Sequence, residues 1–136
     1  MKFFYLMTLF FLTTSIFFAC SPSSISEYRN EGEGRTRDLI AELENIYSRE
    51  ELVKASPRLK RLFEELVDLI VEAKIDQKER PELFYEDFAK KENRFNDKLR
   101  NELNRIYRID GGRELVEKAQ KNALHKLDSF ESRSST

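Results

Sequence analysis

The chain has 136 residues, 24 Lys and Arg against 25 Asp and Glu, and a net charge of −1. So even a balance excludes the basic footprint of a nucleic-acid binder and electrostatic docking on an anionic membrane. The length fits one small domain, and a single cysteine leaves no internal disulfide to staple it.

Residues 1–19 read as a secretory leader. Lys2 gives the positive start, Phe3 to Met7, Leu9 to Leu12 and Ile16-Phe17-Phe18 the apolar centre, and Ala19 the small residue before the cut. The block Ile16-Phe17-Phe18-Ala19-Cys20 resembles the lipobox of bacterial lipoproteins, and the resemblance covers these residues alone. It implies a thioether-linked diacylglycerol on Cys20, cleavage before that residue and acylation of the new α-amino group. The pattern departs at Phe17 and Phe18, where a lipobox carries Leu and a small residue. Two rivals stand beside it. One is an uncleaved membrane span, which Thr8, Thr13, Thr14 and Ser15 interrupt and no basic cluster follows. The other is an ordinary signal that leaves a free thiol. Lipidation gives the odd cysteine of an exported chain its reason. At about 0.8 kcal/mol per buried methylene, two or more acyl chains hold a protein stably on a bilayer. Ser21 stands where Asp favours inner-membrane retention, which points to the outer membrane of a two-membrane cell. Cleavage removes one charged residue, Lys2, and takes the net charge from −1 to −2.

Residues 20–35 are rich in Ser, Glu, Arg, Gly and Asn, with Ile25 and Tyr28 their large apolar residues. Such a stretch buries too little to fold alone and is expected to be a flexible tether, lifting the domain roughly tens of ångströms from the bilayer. The folded domain is expected over 36–131. Its first helix, 36–47, puts Leu39, Ile40, Leu43, Ile46 and Tyr47 on one face. Ser48-Arg49-Glu50-Glu51 is a capping box that opens a short turn, and Ser56-Pro57 restarts the helix. From 57 to 75 the apolar face, which includes Leu59, Leu62, Phe63, Leu66 and Ile70, is wide enough to touch two neighbours, which marks the central helix. Pro81 opens the longest helix, 81–109, with Phe84, Phe88, Phe95, Leu99, Leu103 and Ile106 in register and the pairs Glu86–Lys90 and Asp87–Lys91 outside. Gly111-Gly112 supply a left-handed cap, 113–130 form the last helix, and 132–136 should fray. The expected fold is all-α: a small antiparallel bundle of about four helices after a cleaved signal peptide and a flexible tether.

Chemistry-bearing residues are sparse. His125, the one histidine, falls opposite the apolar face of the last helix and is expected to be solvated. Glu92 and Glu102 sit on or near the stripe of the long helix, where carboxylates pair with a neighbour's Arg or Lys or reach outward along their stems. Gly32-x-Gly34 lacks the third glycine and the preceding strand of a nucleotide site. The sequence offers no nucleophile–base pair, metal-ligand spacing or cofactor motif, so no enzyme is expected and no catalytic, metal or cofactor residue is named. Tyr28, Tyr85 and Tyr107 lean towards solvent, and Tyr85 and Tyr107, at the stripe edge of the long helix, are the candidate interaction surface. The expected function is an envelope lipoprotein, anchored through Cys20, whose helical domain is an interaction module for a protein partner. The rivals are a helical carrier of a lipid or small apolar ligand, and a scaffold that self-associates through the long helix.

Overall fold

The computed structural model describes residues 24–84 and 94–134. They form helix α1 (Ile25–Glu44), α2 (Arg49–Glu79), a 3₁₀ turn (Pro81–Phe84), α3 (Arg94–Ile106) and α4 (Gly112–Ser134), with no strand among the described residues. The described residues form the expected small all-α bundle, with four helices among them. Chain direction alternates from helix to helix. α2 lies between α1 and α4, and α1 also packs on α3.

α1 reaches back into the segment expected to be a flexible tether. The helix begins at Ile25 behind Ser24, whose hydroxyl accepts from the Glu27 amide at 3.3 Å. Ile25 and Tyr28 are both buried, and the Tyr28 hydroxyl donates to Asp76 Oδ2 of α2 at 2.8 Å. Composition describes what a segment does alone, and here a neighbouring helix supplies the apolar wall. The other end comes earlier than expected. α1 stops at Glu44, the Ile46 amide turns back to the Leu43 carbonyl at 3.1 Å, and Tyr47 leaves the apolar face and stands 75% exposed.

The capping box forms as expected: the Glu51 amide donates to the Ser48 hydroxyl at 3.2 Å, and the Ser48 amide donates to Glu51 Oε2 at 3.1 Å. The Tyr47 amide donates to the same oxygen at 2.7 Å, and this bond above all holds the Glu51 carboxyl below its ordinary pKa. The expected restart at Ser56-Pro57 does not occur, because α2 runs through Pro57 unbroken. Proline removes one helical hydrogen bond, to the carbonyl of Val53, on a side of the helix where Val53 is half exposed. Leu52 and Leu59, two turns apart on the same face, are both fully buried and hold the helix together across the gap.

α2 is the central helix. Along α1 its pairs run antiparallel: Arg58–Glu42 at 2.9 Å, Glu65–Arg35 at 2.7 Å and Asp76–Tyr28. Along α4 they run parallel: Glu64–Asn122 at 3.3 Å, Asp68–Lys126, and Lys74–Glu131 at 2.5 Å. Ala119 and Ala123, both buried, let α4 approach closely. The core is built from Leu39, Leu43, Ile46, Leu52, Leu59, Phe63, Ile106 and Val116. Leu66, expected at its heart, is only half buried, and Ile70 is 37% exposed. The buried face of α2 therefore runs from Leu52 to Leu69 and does not extend over its last turns.

The helix expected over 81–109 is replaced, among the described residues, by the 3₁₀ turn and the shorter α3. Tyr85, Phe88, Glu92 and the pairs Glu86–Lys90 and Asp87–Lys91 lie outside the described residues. After Ile106 the chain turns through Gly111, whose φ of 65° is the left-handed geometry expected there. A Cβ on Gly112 would sit 2.1 Å from the Ile106 carbonyl oxygen, so this turn needs both glycines. α4 outlasts its expected end at 130. It runs to Ser134, and the Ser132 and Ser134 hydroxyls donate back to the Ser129 and Phe130 carbonyls at 3.2 and 2.9 Å.

Candidate interaction surface

Two turns, 45–48 and 107–111, lie at the same end of the bundle, opposite the start of α1. Arg49 Nη1 reaches Asp110 Oδ2 at 3.4 Å and ties them together. Arg105 makes the stronger link. Its Nη1 donates to the Ile46 carbonyl at 2.6 Å and its Nη2 to the Leu43 carbonyl at 2.7 Å. Carbonyls at a helix C-terminus lack helical donors and carry the negative end of the dipole, so a guanidinium fork suits them. Glu102, largely buried, orients the fork, accepting from Nε at 2.9 Å and Nη2 at 2.8 Å. This carboxylate, expected to look for a partner on a neighbouring helix, finds it one turn along its own.

The same guanidinium lies over the Tyr47 ring at 5.2 Å from its centre, and Arg113 lies over the Tyr107 ring at 5.3 Å. Each tyrosine thus presents a ring backed by a cation. Arg49, Arg105, Arg108 and Arg113 are interleaved with Glu50, Glu51, Glu102, Asp110 and Glu114, so the end carries no field of one sign. Tyrosine and arginine dominate binding energy at protein interfaces.

Of the two expected surface residues, Tyr107 is half buried at this end and packs on the core cluster, and Tyr85 lies outside the described residues. Tyr47 was missed. Its signal was present: a capping box beginning at Ser48 places residue 47 before the next helix and off the wheel of the previous one. Tyr28, read as leaning to solvent, is buried. Burial first, and then the hydrogen bond to Asp76, push its hydroxyl pKa up to about 12.

His125 is exposed, with Nδ1 2.9 Å from the Ser129 hydroxyl. It lies in a depression of about 530 Å³ on the outer face of α4 with Glu117, Lys121, Leu124 and Asp128. A second depression, of about 350 Å³, lies between the C-terminal turns of α2 and α4, around Lys74, Lys78 and Phe130. Both are open to solvent and lined mainly by charged groups. Among the described residues no three His, Cys, Asp or Glu side chains gather to hold a metal, and no helix is long and apolar enough to cross a membrane. No protein-family model matches this sequence, and neither a curated protein nor a solved structure matches it.

Proposed function

We propose that this chain is a lipid-anchored envelope protein whose bundle binds a protein partner through the end formed by the 45–48 and 107–111 turns. The chain is read as a binding module and not an enzyme. The observation that carries the reading is polarity along one axis. Cys20 is separated by Ser21, Pro22 and Ser23 from Ser24, the cap of α1, and α1 ends at the tyrosine–arginine turns. Its 20 residues span about 30 Å at 1.5 Å each. With acyl chains on Cys20, the docked α1 helix carries Tyr47 away from the bilayer. Ser21 after the cysteine favours the outer membrane as the site of anchoring. The carrier reading has less to stand on, since both depressions are open to solvent and neither encloses a ligand-sized cavity.

The test has two arms. Labelled fatty acid should be incorporated by the wild type and not by Cys20→Ser, which leaves the membrane fraction; equal labelling would overturn the anchor. Tyr47→Ala with Tyr107→Ala should reduce partner crosslinking in intact cells by about tenfold or more while helicity is kept, as expected of two interface tyrosines. Full capture by the double variant would overturn the assignment of the surface.

A further inference from the structure

Gly32 and Gly34 sit inside α1, where glycine weakens a helix, and the folded protein has no visible need of either. Among the described residues only Gly111 adopts positive φ. A Cβ added to Gly32 would meet Leu69 Cδ2 at 3.7 Å, an ordinary contact, and one on Gly34 would meet nothing within 4 Å. Alanine fits both positions. Each glycine lowers the helical population about fivefold relative to alanine, so the pair lowers it about 25-fold. The packed state gains nothing from this cost, and an unpacked state of the same segment gains chain freedom.

The packing of α1 divides at the same place. Residues 36–44 contribute Leu39, Ile40 and Leu43 to the buried core. Residues 25–35 are seated on α2 by Ile25 and Tyr28, one turn apart near the start of the helix, and by polar bonds. They include Tyr28 to Asp76, which also pairs with Arg80, and Arg35 to Glu65 at 2.7 Å. Arg35 and Glu65 are each more than a third exposed, so their bond holds weakly. Between the halves the Thr36 hydroxyl donates to the Gly32 carbonyl at 2.8 Å, a back-bond that loosens a helix locally.

We infer that residues 25–35 form a strap that unlatches from α2, hinged between Gly32 and Thr36, while the rest of the bundle stays folded. Latched, the strap holds the bundle at a fixed offset from Cys20. Unlatched, residues 25–35 become eleven further residues of chain, with a reach of about 5–6 Å times the square root of that number, roughly 17–20 Å. The unlatching stands on packing alone, and only its consequence for reach rests on the lipid-anchor reading.

The test is amide hydrogen exchange on the full chain in detergent micelles, read peptide by peptide. Amides of 29–35 should exchange at least about 100-fold faster than those of 59–67, because local opening needs far less free energy than global unfolding. Gly32→Ala with Gly34→Ala should slow exchange over 29–35 about 25-fold and change 59–67 less than about twofold. Tyr28→Phe should accelerate the strap alone. Equal protection of the two segments in the wild type, or equal slowing of both by the alanine pair, would overturn the proposal, since the strap would then open only with the whole domain. Repeating the measurement on Cys20→Ser separates the two readings: the same exchange pattern without lipid leaves the strap intact even where the anchor fails.

Discussion

Arg105→Met removes the fork that joins α3 to the end of α1 while keeping much of the stem volume. Two bonds from a charged donor, to Leu43 and Ile46, are lost, and Glu102 is left largely buried without its cation. Hydrogen bonds to charged groups contribute about 1.5–3 kcal/mol each when dry. The Arg105 side chain is 35% exposed, so water replaces part of this loss and the lower bound is the better guide, about 2–3 kcal/mol in all. Urea unfolding followed by circular dichroism reads the change as a lower midpoint at constant slope. Arg105→Lys keeps the charge but not the fork and should recover less than half of the loss. Arg100→Met, at an exposed ion pair with Asp97, serves as control and should stay within about 0.5 kcal/mol. A loss below about 0.5 kcal/mol for Arg105→Met would refute the clamp, because the α1 carbonyls would then be served equally well by water.

Leu59→Ala should cost about 2–5 kcal/mol and Leu66→Ala distinctly less, since Leu59 is fully buried and Leu66 is not; chemical denaturation of both variants checks the ranking. Gly111→Ala should cost about 1–2 kcal/mol in the same assay, because a side chain resists positive φ and its Cβ would press on the Arg49 guanidinium. Tyr28 has a folded pKa of about 12 against 10.0 when free, so its stabilising contribution is whole below pH 10 and is lost as pH rises towards 12. Across that window the wild-type urea midpoint should fall more steeply than that of Tyr28→Phe, and parallel curves would count against the buried hydroxyl.

The helices were legible where residues carry their signal locally. Ser48 and Glu51 announce a start, Gly111 and Gly112 a turn, and the spacing of Leu59, Leu62 and Phe63 a buried face. What failed depended on neighbours. Ile25 and Tyr28 look too few to fold a segment until α2 stands beside them, and Pro57 looks like a boundary until Leu52 and Leu59 are seen buried on either side of it. Leu66 and Ile70 share the wheel position of Phe63 and differ only in what covers them. The candidate surface was half legible. Tyr107 was named, but Arg105, which sets both Tyr47 and the end of α1, acts through two carbonyls about 60 residues away, and no local pattern encodes that.

The most direct test of a lipid-anchored module that binds through its far end is site-specific photocrosslinking in intact cells. A photoreactive side chain replacing the exposed Glu50, beside the Tyr47 turn, is compared with one replacing the exposed Lys121 on the outer face of α4. The account predicts one discrete crosslinked protein from position 50, little from position 121, and loss of the product when Cys20→Ser is added. A product from position 121 without one from position 50, or an undiminished product from the Cys20→Ser chain, would contradict it.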